Sequence, residues 1–232
     1  MTDDIALNLA RVHARMEAAA GRALRSPDEI VLVAVSKTMP LERLVQAYAA
    51  GQRHFGENRV QEAEAKITAW AGERPTWHLI GRLQRNKARR AARMFDLIHS
   101  VDSVDLACAL DRSAGEAGRI LPVLLEVNVA GEAGKAGFTP GEGLAAAVRE
   151  IVALPHLRAE GLMTVAPLVS DLEAVRPVFR GLRLLRDGLR REYPALAWPH
   201  LSMGMSDDFE VAIEEGATLV RLGRAIFGAR GL

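Results

Sequence analysis

Lys37 stands where a chain of this kind would do chemistry. It follows an apolar, mostly β-branched run, Ile30 to Val35, and precedes Thr38, Met39 and Pro40. A short apolar run bounded by turn residues reads as a strand buried on both faces. The lysine stem then lies in apolar surroundings, with the amine at the strand's end. Desolvation favours the neutral amine, which is the form that attacks carbonyls. One reading is a Schiff-base lysine. The other is a lysine that ends a strand and snorkels to water.

A second group of candidates lies late in the chain. Ser206 precedes Asp207, Asp208 and a helical pattern. Its hydroxyl and the first amides of that helix could cradle an anion; taken alone, it is an N-cap residue. Asp207 and Asp208 read as capping groups turned away from a ligand. Gly223 and Arg224 follow the last apolar strand and offer bare backbone amides and one cation, and Arg221 lies inside that strand.

These residues need a scaffold that gathers strand ends. Residues 3 to about 24 carry apolar positions at helical spacing, from Ile5, Leu9, Val12 and Met16 to Ala20. Strands are then expected near Ile30–Val35, Arg53–Phe55, Thr76–Ile80, Asp96–His99, Leu121–Val129, Leu157–Val165, Trp198–Leu201 and Thr218–Leu222. Helical patterns separate them, at Leu41–Ala50, to about Ala71, Gln84–Met94, to about Ala117, from Pro140 to Ala153, Asp171–Glu192 and Met205–Gly216. The chain closes on a short turn, AIFGARGL. Eight strands alternating with helices predict a single (β/α)8 TIM barrel over residues 1–232, with an extra N-terminal helix. An open doubly wound sheet competes, but the turn after its first strand is normally glycine-rich, and Ser36 to Pro40 contains no glycine.

In such a barrel the ligand site lies at the strand C-termini. Polar residues fall there on every strand: Lys37, Glu57 with Asn58, His78, His99, Glu126 with Asn128, Thr164, Ser202, and Arg221. Some are expected to pair with one another in the barrel's last layer, Glu126 and His99 above all. The first strand of a closed barrel neighbours the last. A phosphorylated aldehyde could therefore span Lys37 and the Ser206/Gly223 cup. Pyridoxal 5′-phosphate (PLP) fits that description, with Arg221 facing its ring.

Composition narrows the classes. A net charge of +1 gives no global case for nucleic acid or an anionic membrane surface. The arginine stripe from Arg85 to Arg93 reads as a solvated helix face. The start, MTDDIALNLARVHARM, lacks the long apolar run of a secretory signal or a membrane span. The lone cysteine, Cys108, excludes an internal disulfide and a Cys-rich metal site, and suits a reducing, cytoplasmic compartment.

The motifs AVSKTMP, HFGENRVQE, WHLIGRLQRNK, HSVDS, VNVAGEAGKAGF, GLMTVAP, LSMGMSDDFEVAI and VRLGRAIFG run in that order along the chain. With them the chain resembles, over nearly its full length, the pyridoxal phosphate homeostasis (PLP-binding) proteins, which look like the N-terminal barrel of alanine racemase without its second domain. The resemblance implies PLP carried as a Schiff base on Lys37, with Arg221 beside the pyridine nitrogen. It further implies the phosphate held by Ser206, Gly223 and Arg224, and Asn58 near the cofactor. Arg224 departs from many relatives, which have threonine there; a backbone amide contact survives that change and a hydroxyl contact does not.

The ring partner bears on function. An acidic partner keeps the pyridine nitrogen protonated and the ring a strong electron sink, whereas an arginine only donates. Two-base racemisation also needs a group opposite Lys37, and the two tyrosines, Tyr48 and Tyr193, fall in helical patterns. The expectation is a non-catalytic PLP carrier in PLP (vitamin B6) homeostasis, monomeric, with apo PLP-dependent enzymes as recipients. The alternative is a single-domain racemase-like PLP enzyme.

Overall fold

The computed structural model describes residues 4–169 and 171–228. Residue 3 of the first helical pattern and the last residues of the closing AIFGARGL segment lie outside that range. Eight parallel strands close into a barrel in sequence order: β1 (Val31–Val35), β2 (His54–Glu57), β3 (Thr76–Leu79), β4 (Leu97–Val101), β5 (Leu121–Glu126), β6 (Leu157–Met163), β7 (His200–Ser202) and β8 (Leu219–Leu222). The seam is a β1–β8 ladder from Val31↔Leu219 to Ala34↔Leu222.

The strands alternate in and out, as a period of two requires. Leu32 and Ala34 of β1, Ile98 of β4, Val123 and Leu125 of β5, and Val220 and Leu222 of β8 join the outer core beneath the helices. Val33, Leu97, Leu124, Met163 and Leu219 form a separate small cluster inside the barrel. By the same alternation His99, Glu126 and Arg221 point inward. The interior is thus apolar on one level and polar on another.

Each strand is followed by a helix: α2 (Leu41–Ala49), α3 (Val60–Ala69), α4 (Ala88–Met94), α5 (Val104–Glu116), α6 (Glu142–Val152), α7 (Arg176–Glu192), α8 (Phe209–Glu214) and α9 (Arg224–Phe227). The extra helix α1 (Ile5–Arg22) precedes β1 and is capped by Asp4, whose side chain accepts from the Leu7 amide at 3.1 Å. Its buried stripe of Ile5, Leu9, Val12, Met16 and Ala19 packs against α8 and α9. Asn8 on that stripe donates to the Ile226 carbonyl at 3.0 Å.

Several boundaries differ from the sequence reading, each for a local reason. The pattern at Gln84–Met94 opens as a 3-10 turn over Arg85–Lys87 before α4. The one from Asp171 likewise opens with Leu172–Val175, and α7 begins where Pro177 can occupy its first turn. Trp198 has φ 45°, a left-handed value that no strand accepts, so β7 starts at His200. The fifth strand ends at Glu126, and a single bridge from Val127 to Phe138 folds the glycine-rich loop back onto it. Ala225–Phe227, expected to open the closing turn, instead lie in α9 (Arg224–Phe227).

Candidate functional site

Lys37 follows β1 at the barrel's C-terminal face, half-buried, on a turn. The residues on both sides of it are tied to one polar network. Ser36 Oγ donates to Glu57 Oε1 at 2.6 Å. Lys66 Nζ, on α3, donates to the same oxygen at 2.7 Å, to the Ser36 carbonyl at 2.7 Å and to Glu62 Oε1 at 2.8 Å. The Thr38 amide donates to Glu62 Oε1, and Thr38 is held at φ 64°, a conformation β-branched residues rarely adopt. Burial pushes the Glu57 carboxyl up, against its bonds to Lys66 and Ser36. Burial would raise Glu62 as well, but bonds from Lys66 and the Thr38 amide leave it below the usual range. The sequence reading named Glu57 and missed Glu62 and Lys66. Their four-residue spacing on α3 was the available signal.

Arg221 is buried in the barrel interior. Its Nη1 donates to Ser202 Oγ and its Nη2 to the Thr164 carbonyl at 2.9 Å. Burial lowers it to about 10, with Asp208 and Glu126 pulling the other way, so it stays cationic at neutral pH. Ser202 Oγ also lies 2.8 Å from His99 Nδ1. His99 Nε2 meets His78 Nδ1 at 2.9 Å, and His78 Nε2 meets His54 Nδ1 at 3.0 Å. A polar ladder thus crosses the interior from β2 to β8. His99 does pair within the barrel, as the sequence reading expected. Glu126 sits in Arg221's field, its carboxyl pushed up mainly by burial.

Ser206 and Gly223, read from the sequence as an anion cup, lie where the chain leaves β7 and β8. Ser206 Oγ accepts from the Ala225 amide at 3.4 Å, bringing the serine to the start of α9. Gly223 pairs in space with the end of β1: a Cβ there would lie 3.3 Å from the Val35 carbonyl oxygen. Asp208, expected as a capping group, makes no side-chain cap bond to α8 and instead accepts from the Met205 amide at 2.6 Å. Asp207 is engaged by the Arg224 guanidinium, and both side chains are exposed. The Arg224 guanidinium is thus directed to Asp207, and the amide that meets Ser206 is that of the next residue, Ala225.

Asn58 lies after β2, half-buried, packed so closely on Gly81 that a Cβ at Gly81 would sit 2.5 Å from the Asn58 carbonyl oxygen. With Arg82, Asp102 and Ser103 it lines a cavity of about 850 Å³ over the β2–β4 loops. Lys37 is not among the residues that line it.

The two tyrosines are elsewhere. Tyr48 is near the C-terminal end of α2 and bonds Glu73 at 3.2 Å, and Tyr193 is the C-cap of α7. In a β/α barrel helix C-termini lie at the end opposite the βα loops. The arginine stripe is engaged with neighbouring helices: Arg85 with Asp105, Arg89 with Glu116 and Arg90 with Glu64, at 3.3 to 3.6 Å.

This geometry can be set beside known proteins. Residues 7–231 match the family model described as alanine racemase, N-terminal domain. The pyridoxal phosphate homeostasis protein of Aquifex aeolicus is 46% identical over 222 residues, 96% of each chain. PipY of Synechococcus elongatus, solved without PLP, is 42% identical with a TM-score of 0.87, covering 97% of this chain and 100% of that one. Its PLP-bound form gives a TM-score of 0.84. Alanine racemase of Clostridium difficile, 14% identical with a TM-score of 0.73, shares the fold; the match covers 99% of this chain and 57% of that one.

Proposed function

The chain belongs to the pyridoxal phosphate homeostasis protein family, on the alanine racemase N-terminal barrel, and we propose that it binds PLP through a reversible covalent tether at Lys37 and acts as a carrier in PLP homeostasis. The observation that carries this reading is the adjacency of three features: Lys37 after β1, the Ser206/Gly223 turn against Val35, and the buried Arg221 on β8, which pairs with β1 and leads into Gly223. The donor set fits the group. A cup of backbone amides and a hydroxyl suits a phosphate, and a lysine amine suits an aldehyde. Bound there, PLP supplies an aldehyde carbon to which an amine adds reversibly with loss of water.

The remaining roles belong to this chain's residues. Ser206 and the Gly223 and Arg224 amides would hold the phosphate. Arg221 would donate to the ring nitrogen and could accept nothing from it. Asn58, just after the strand next to β1, would lie near the ring. The network of Glu57, Glu62 and Lys66 fixes the direction in which Lys37 leaves the barrel.

A non-catalytic role is supported by two features. A fixed cation at the ring nitrogen weakens the electron sink that carbanion chemistry needs. Tyr48 and Tyr193 both sit at helix C-terminal ends, away from Lys37. We place the protein in the cytoplasm as a single barrel domain working as a monomer, with apo PLP-dependent enzymes as recipients. No described helix is long and apolar enough to cross a membrane.

Borohydride reduction of the PLP-loaded protein, followed by peptide mapping, tests the tether. The pyridoxyl label is expected on Lys37, and a label on any other residue overturns the reading. Exchange of an amino acid's α-proton in D₂O should not exceed that with free PLP. Sustained exchange above it would instead establish a racemase-type enzyme.

A further inference from the structure

The ladder that ends on Arg221 has a direction, and the chemistry of its members fixes it. A guanidinium donates and never accepts. Ser202 Oγ therefore accepts from Arg221 Nη1. The serine's own proton then needs an acceptor, and among the described residues its other side-chain neighbour is His99 Nδ1, at 2.8 Å. With Nδ1 accepting, a neutral His99 carries its proton on Nε2 and donates to His78 Nδ1 at 2.9 Å. His78 in turn carries its proton on Nε2 and donates to His54 Nδ1 at 3.0 Å. Reversing any one ring would set two protons, or two lone pairs, face to face inside the barrel.

We propose that Ser202, His99, His78 and His54 are positioning residues for Arg221. They form a one-way hydrogen-bond chain of neutral Nε2–H imidazoles that holds the guanidinium by one nitrogen. The Thr164 carbonyl holds the second nitrogen at 2.9 Å. Two of the guanidinium's nitrogens are thereby committed to the barrel wall, which fixes the plane in which its other donors point. Ser202 and His99 have no exposed surface and His78 is 2% exposed, so water cannot supply a missing partner.

The surroundings favour the neutral forms. Burial and the neighbouring rings, with Arg221 for His99, hold His78 and His99 far below an ordinary histidine. His54 is also lowered by burial, with Asp96 opposing, and His200 lies close enough to add to the repulsion. Glu126 and Asp208 act on Arg221 from the other end.

The inference rests on the proposed PLP site only in saying what Arg221 is aimed at. The chain itself is a property of the protein without ligand, so it is tested there first. Ring-nitrogen NMR shifts of the ¹⁵N-histidine-labelled apo protein at neutral pH distinguish the tautomers. His78 and His99 are expected as neutral Nε2–H forms; an Nδ1–H form or an imidazolium at either position overturns the proposal.

Ser202→Ala and Ser202→Thr supply the second arm. The alanine variant removes the donor to His99 Nδ1, so His99 should become a mixture of tautomers and PLP affinity should fall about tenfold. Threonine keeps the hydroxyl and should restore both. A Ser202→Ala protein with the parent's His99 spectrum and PLP affinity overturns the proposal. A parent protein that takes up no PLP sinks the functional reading instead, and the apo spectrum still decides the chain.

Discussion

A Cβ placed on Gly223 would lie 3.3 Å from the Val35 carbonyl oxygen and 3.4 Å from the Val35 Cβ. The turn after β8 therefore touches β1 two residues before Lys37, and no side chain separates them. Gly223→Val would push this turn off β1. Overpacking of this kind costs about 1–3 kcal/mol. Because the strain falls on the proposed phosphate turn, PLP affinity measured by titration should drop about tenfold or more. Unchanged affinity would show that the turn does not hold the phosphate.

Arg224 should matter far less. Its guanidinium is committed to Asp207, and the two side chains are 63% and 59% exposed. An exposed pair of this kind contributes about 0–1 kcal/mol. Arg224→Thr should leave PLP affinity within about threefold of the parent, since the backbone amide is retained. A large loss in the same titration would make the side chain itself a phosphate ligand.

Lys66→Met should be costly. Glu57 has no exposed surface, its Oε2 has no partner among the described residues, and Lys66 supplies its cation at 2.7 Å. Removing one member of a buried pair leaves an uncompensated charge and costs about 3–5 kcal/mol. Urea unfolding should show that loss, and Glu57→Gln added to Lys66→Met should recover part of it. A single variant as stable as the parent would mean that Glu57 is already neutral in the folded protein.

The buried histidines make a pH prediction with a definite sign. His78 is lowered to about 3 in the folded protein, and His99 lies well below an ordinary histidine, chiefly through burial. Between an unfolded value near 6.5 and the folded one, the unfolded chain binds protons that the folded chain refuses. Stability should therefore fall as pH falls below about 6.5, by up to about 1.4 kcal/mol per pH unit for each ring. Denaturant midpoints at neutral and mildly acidic pH would show it. A flat profile across that window would mean that the rings are already charged or become exposed.

The fold was legible because the alternation of apolar runs and helical patterns survives in the residues themselves. Lys37, Ser206 and Arg221 stood out as polar groups at strand ends. What could not be read were the partnerships. Lys66 looks like any lysine on an amphipathic helix, and only the closed barrel brings it beneath Ser36. His99 and Ser202 are 103 residues apart, and their contact depends on how the barrel staggers its strands. Trp198 reads as a strand residue, and its left-handed backbone is a tertiary outcome.

The pinned backbone around Lys37 has a kinetic consequence for a carrier. Ser36 is tied to Glu57 and Lys66, and the Thr38 amide to Glu62. With both neighbours of the lysine held, exchange on the proposed Lys37 tether is expected to be set by bond-making at the amine. It should quicken with the concentration of small primary amines in solution and be nearly indifferent to solvent viscosity.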